Sequence, residues 1–449
     1  MIIPLLLVFG VVCCFLLLVG MLRRGAIYEF PFLAGVVFAG FALPQFIGLS
    51  ADPFLPPGAL EKTVIMASLC AAMCWIGYAA NGRQWRVLNW EYDDHRLLMV
   101  SIGLSIAGCY FYYAFGKLPD EMLKNTQTTG LAVAYLFFAR LLSYGFAIAV
   151  LLYARNGSKA ALMVALFGSV FYLERIVIAG RRAELIEFCA IIALAAWFQR
   201  GRSIPRLVML VGLFLGTLLS SSTGDYRNAT MSEDGPQWNS VLKIDFVGNL
   251  ERLTKNGGPE LTNAVYYIEA VDRTMKFDLG LFHWNALVFR YVPAQLVGTD
   301  LKNSLLFTLD APARNEFLYV PTTGSTLTGL TDAFQSFWYF GCLEFFFIGV
   351  IMNRLWRAAS LGSMSAQLGY VLILAQALHS ITHSTHNFVA PWVHMAVFLV
   401  PALMLARRRC SAGRPGAWRG KFDVVRVGLP QWADAPLGPV SPASTSRRH

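Results

Sequence analysis

Residues Leu173–Glu187 read LERIVIAGRRAELIE and join two apolar segments, each long enough to cross a bilayer. The stretch makes those segments an antiparallel pair of helices with its tip at Gly180–Arg182. Arg175 and Glu187 fall inside the apolar segments at similar depth, which predicts a buried pair locking the two helices, with Glu174 as a second acid. Ionisable residues at membrane depth are costly and tend to serve a function. The adjacent guanidiniums of Arg181 and Arg182 present donors that match phosphate oxygens.

The rest of the chain supports a membrane reading. Of 449 residues, 56% are hydrophobic and only 14% charged, a balance too apolar for a soluble multidomain enzyme. The net charge of +10 is spread over short loops and a C-terminal tail, which excludes a nucleic-acid-binding face. Seven of the eight cysteines lie in apolar segments, and no CxxC or Cys/His zinc spacing occurs, so neither disulfides nor a structural metal are expected.

Hydropathy predicts an all-α polytopic bundle of about eleven spans. They fall near 2–21, 27–49, 63–80, 97–115, 129–153, 160–179, 184–199, 206–221, 329–352, 364–384 and 388–406. Arg23-Arg24 follows the first span and no basic residue precedes it, so this span reads as an anchor with its N-terminus outside. Alternation then puts Arg83/Arg86/Arg96, Arg155/Lys159, Arg200/Arg202/Arg206, Arg354/Arg357 and Arg407–Arg409 on the cytoplasmic side. Arg181-Arg182 is the short outer turn that breaks this pattern, and an anionic partner explains it better than topology does.

The expected organisation is a transmembrane bundle over 1–221, an outer helical cap over 222–328, three further spans over 329–406 and a disordered cytoplasmic tail over 407–449. Within the cap, Pro259–Lys276 places Val265, Ile268, Val271 and Met275 at near-helical spacing, with weaker helical patterns over Asn239–Lys255 and Phe282–Tyr291. Glu91–His95 is acidic but too short a loop for a nucleotide site, and reads as a helix start.

Two other groups carry chemistry. Arg140 lies about 16 Å into its span at helical rise, so it must face a polar cavity or an acid, with Glu344 or Glu174 as the expected partner. His379 and His383 share a helix face, with His386 in the next turn and His394 beyond. No acid follows them closely enough in sequence to complete a metal site.

Arg290-Tyr291-Val292-Pro293 and the stretch Val320–Phe334 (VPTTGSTLTGLTDAF) lead into Trp338-Tyr339-Phe340-Gly341. This arrangement resembles the closing signature of O-antigen (Wzy-type) and exopolysaccharide repeat-unit polymerases, and the GRR hairpin resembles an arginine-bearing outer turn of that family. The resemblance covers most of residues 130–350; an aromatic run stands where an Asn is frequent in the family. It implies a metal-independent, cofactor-free glycosyltransferase in a bacterial inner membrane, its active site facing the periplasm. Such an enzyme moves a growing glycan from polyprenyl diphosphate to the non-reducing end of a second lipid-linked repeat unit, alongside a chain-length regulator and a flippase. Arg175, Arg181 and Arg182 are then expected to clamp the diphosphate, with Arg140, Arg290 and Arg314 as further contacts to diphosphate or glycan. Asp332, His383 and Glu344 are the alternatives for the catalytic base. A ligase that delivers the glycan to a lipid acceptor shares most of these features. A lipid-linked-oligosaccharide flippase accounts for Arg140 but not for an outer segment of about a hundred residues.

Overall fold

The computed structural model describes residues 2–408, apart from 24, 81–84, 86, 87, 89, 120–130, 206, 207, 209, 210, 213, 214, 217–221, 233, 234, 293, 323 and 324. Most of the span expected at 206–221, much of the outer loop after Lys117, and the tail from 409 therefore lie outside the described residues. Among the described residues the regular structure is helical, apart from a single bridge between Tyr92 and Arg407.

Nine helices among these residues are long and apolar enough to cross a membrane. In chain order, the membrane part runs α1 (Ile2–Leu22), α2 (Phe30–Leu49), α3 (Ala59–Ala79), α4 (Asp94–Gly116), α5 (Leu131–Asn156) and α6 (Lys159–Val177). The hairpin then gives α7 (Arg182–Arg200). Four longer helices of the segment 222–328 follow: α8 (Thr223–Thr230), α9 (Phe246–Asn256), α10 (Pro259–Thr274) and α11 (Leu281–Tyr291). The chain returns through α12 (Gly329–Ser360), α13 (Met364–Thr382) and α14 (His386–Ala406). Helix α7 is not one of the nine because it carries Glu184, Glu187 and terminal arginines. At 19 residues it is still about 28 Å long and runs the depth of the bundle.

The turns gather at two ends. At one end Ile204 N donates to the Tyr28 hydroxyl, Arg200 to Ala154 O, and Ser363 to Leu88 O, while Arg155 pairs with Asp94. At the other, Tyr266 donates to Phe54 O, Tyr226 to Val177 O and Arg227 to Gly180 O, and His283 meets Thr385. This grouping matches the alternation expected from the arginine distribution. The helix start expected after Glu91 is present: Asp93 Oδ1 accepts from Arg96 N at 3.0 Å, and that bond holds the Asp93 carboxyl below its usual range.

Helix α13 is the axis of the bundle. Its most apolar stretch is 94% buried, against 17% for α1, whose side chains mostly face outward. Helices α3 and α12 make the most intimate crossing. It depends on Gly77 and Gly349: a Cβ at Gly77 would collide with the Phe346 carbonyl, and one at Gly349 would lie 2.8 Å from Cys74 O. Both α5 and α12 are interrupted. Helix α5 breaks at Arg140, and α12 turns through Trp338–Gly341 with Trp338 in the left-handed region at φ 52°.

The segment 222–328 is helical, and it forms one compact unit with the bundle over Met1–Arg408. Val265, Ile268 and Val271 are fully buried along α10, as the periodicity predicts. Met275 is not. It is 55% exposed in the left-handed cap that ends the helix, because the chain leaves helical geometry one residue before it. Lys62 at the start of α3 ties this helix down through Glu269 at 2.8 Å and Asp272 at 2.5 Å.

Candidate functional site

The hairpin register sets the site. Arg175 pairs with Glu184, its Nη2 2.7 Å and its Nε 3.3 Å from the same carboxylate oxygen. Three residues deeper on each helix, the Tyr172 hydroxyl donates to Glu187 Oε1 at 2.9 Å. The expected Arg175–Glu187 pair is thus corrected to Arg175–Glu184. Gly180, at φ 57°, makes the tip tight enough to bring the first turn of α7 opposite Arg175, which leaves Glu187 one turn further in. Glu174, the alternative acid, is exposed.

Arg140 stands at the break in α5 and reaches neither expected partner. Its facing acid is Glu187, which shares its cavity but lies beyond ion-pair distance, and the tyrosines 144, 172 and 291 surround it. Glu344 is instead engaged by His283 on α11, 3.5 Å away. Among the described residues Arg140 forms no ion pair, and its buried Nε has no hydrogen-bond partner. The neighbouring Tyr144 hydroxyl is 2.7 Å from His394 Nδ1, and His394 Nε2 is 3.0 Å from Phe137 O. These contacts hold the ring of α14 against the broken turn of α5.

These side chains line a cavity of about 360 Å³. Arg140 enters from α5, Arg175 from α6, Arg181 from the tip and Arg290 from the last turn of α11. Glu184 and Glu187 line it too, as do Tyr112, Tyr172, Tyr291, His379, Asn387 and His394. Four arginines against two carboxylates leave an excess of two positive charges when the histidines are neutral. Groups outside the spans register that potential. Burial and the Arg140 charge pull Arg290 below the usual arginine range, and burial with Arg181 does the same to Arg227. Burial, then His379, Arg182 and Arg227, push His383 down to about 3, so it is neutral at pH 7. The site therefore fits an anion of two or more charges.

Other expected residues are placed elsewhere. Arg182 lies near Glu260 and Arg227 rather than on the cavity wall. Arg314 is exposed on the short helix Pro312–Phe317, also away from the cavity. His383 stacks edgewise on His379 at 3.8 Å between ring centroids, and its Nδ1 is 2.9 Å from Thr382 Oγ1. Asp332 Oδ2 accepts from Thr385 N at 2.8 Å and Thr385 Oγ1 at 3.0 Å, so it braces the turn before α14. His283 lies 3.8 Å from that oxygen and 2.6 Å from Thr385 Oγ1. Asp332, Glu344 and His283 form a second polar cluster beside the arginine cavity. Asn263 donates to Ser325 Oγ and Thr326 O, which fastens the Gly/Thr-rich stretch to α10. Pro293, Thr323 and Gly324 lie outside the described residues.

Sequence reading missed Glu184 as the partner of Arg175, the Tyr144–His394 contact and His283. Glu184 had a signal in the first-turn acid of a helix beginning at an arginine tip, whereas His283 had none, because its partners are 49 and 61 residues away. No protein-family model matches the chain, and comparison with curated proteins and with solved structures gives no match.

Proposed function

We propose that this multi-pass membrane protein is a glycosyltransferase that uses polyprenyl-diphosphate-linked oligosaccharides, and that it polymerises repeat units at the face carrying the 222–328 segment. The observation that supports this is the convergence of Arg140, Arg175, Arg181 and Arg290 on one cavity. They come from two spans, a hairpin tip and a helix more than a hundred residues later. Positive-inside alternation makes this end the outer one.

In the proposed reaction the anomeric carbon of the donor glycan is attacked by a hydroxyl of the acceptor repeat unit, and polyprenyl diphosphate leaves. The leaving group carries its charge as it departs, so pre-placed guanidiniums that hold that charge are the main catalytic requirement. Arg140 and Arg290 are suited to that role because no carboxylate neutralises either within ion-pair distance among the described residues. Arg175, already paired with Glu184, positions the wall. Arg181 stands at the exposed tip, where a lipid-linked diphosphate first arrives.

The test is transfer by purified protein given a radiolabelled polyprenyl-diphosphate repeat unit in EDTA, read as a product ladder on a gel. Arg290→Ala, with unaltered thermal unfolding, is expected to lose the ladder. A wild type that yields no product but carries labelled lipid across vesicles would replace this reading with a flippase.

A further inference from the structure

We propose that Glu187 is the general base that takes the proton from the attacking hydroxyl; this rests on the transferase reading above. Four acids lie near the site, and their engagements separate them. Glu184 is held by two nitrogens of Arg175. Asp332 is fully buried off the cavity and takes Thr385 N, Thr385 Oγ1 and Ala333 N. Glu344 faces His283 and does not line the cavity. Glu187 alone among these lines the cavity without a cation or histidine within ion-pair distance among the described residues. Its Oε1 is held by Tyr172, while among the described residues no hydrogen bond reaches Oε2.

The surroundings orient it. Tyr172 gives its single proton to the carboxylate, and Ser143 Oγ lies 2.8 Å from the same hydroxyl, so the ring and the carboxylate are fixed from α5 and α6 together. Arg140 faces Glu187 from across the cavity without pairing to it, which leaves the carboxylate free to accept a proton. The base and the charge-holding arginine thus flank one space, as a displacement with separate attacking and leaving oxygens requires.

The acceptor O–H bond breaks, its proton goes to Glu187 Oε2, and the oxygen forms the new bond to the anomeric carbon. The bond from that carbon to the diphosphate oxygen breaks, and its electron pair leaves with the diphosphate beside Arg140 and Arg290. Glu187 then releases its proton to water as product departs.

Glu187→Gln and Tyr172→Phe would be compared with wild type in the ladder assay and in calorimetric titration with geranyl diphosphate. Glu187→Gln is expected to slow transfer by about 10²–10⁴-fold. It should bind geranyl diphosphate as well as wild type or more tightly, because it removes a negative charge facing Arg140. Tyr172→Phe should slow transfer less and leave affinity unchanged. Formate should partly restore transfer to Glu187→Ala, and Glu187→Asp should keep a reduced rate, so a misfolded glutamine variant does not decide the matter. Wild-type turnover in Glu187→Gln, or a rate loss matched by an equal loss of affinity, would overturn the assignment while leaving the transferase reading intact. A wild type that binds geranyl diphosphate but never transfers would overturn both.

Discussion

Replacing Arg140 by methionine should separate binding from stability. The side chain is enclosed by Tyr144, Tyr172 and Tyr291, has an unpartnered Nε and forms no ion pair among the described residues. The unpartnered Nε is a cost to the fold that the Tyr144 contact only partly offsets, so methionine, of similar length, should change thermal stability little. The comparison is Arg175→Met. That change strands Glu184, whose side chain is 24% exposed against 19% for Arg175. Such partial exposure puts the loss at about 1–3 kcal/mol, below the about 3–5 kcal/mol of a fully buried pair. For ligand the order reverses. Each charge-assisted hydrogen bond from Arg140 to a phosphate is worth about 1.5–3 kcal/mol, so Arg140→Met should weaken geranyl diphosphate binding by about 10- to 150-fold. Thermal unfolding in detergent and calorimetric titration read the two effects. If Arg140→Met destabilises the protein as much as Arg175→Met and leaves diphosphate affinity alone, Arg140 is a strut and the cavity is no anion site.

Three further outcomes are expected. Burial by itself would lower the His283 pKa, but Glu344, Asp332 and Asp278 raise it above the ordinary histidine value. The stabilisation it gives is therefore full below about pH 6.5 and fades as pH rises through the higher folded value. Hydrogen exchange across Leu281–Tyr291 should quicken over that interval, and His283→Gln should abolish the dependence. Gly77→Val should lower the unfolding temperature strongly, because its side chain meets the Phe346 carbonyl in the α3–α12 crossing; an unchanged melting profile would refute that packing. Arg314→Ala should leave ladder formation within about twofold of wild type, since surface changes away from a site cost little, and a large loss would show that the exposed helix Pro312–Phe317 contacts substrate.

Much of the fold was legible because lipid imposes simple arithmetic: an apolar run of the right length spans, and basic turns alternate with bare ones. Arg140, Arg175 and Arg181 were legible for the same reason, since charge is conspicuous at membrane depth or on an outer turn. Their partners were not. Whether Arg175 meets Glu184 or Glu187 turns on one helical turn of register, which depends on how tightly Gly180 closes the tip. Arg140 and Glu344 were matched by depth alone, but helices have faces as well as depths, and Glu344 is turned toward α11. Arg290 and Arg314 looked equivalent in a loop sequence. Only the packing of α11 over the bundle distinguishes the lining residue from the exposed one.

The burial of α13 bears on how the protein is made. This helix carries Gln367, Gln376 and Ser380, and these polar groups are buried among neighbouring helices. Gln367, for example, donates to Ala359 O in the preceding helix and meets Gln199 of α7. As it leaves the ribosome, α13 thus presents polar groups to lipid on more than one face, and α14 has yet to be synthesised. It has to be received by helices already in place, above all α12 and α7. Assembly of this bundle is then ordered by synthesis, with the axis arriving late into a vacancy its predecessors have prepared.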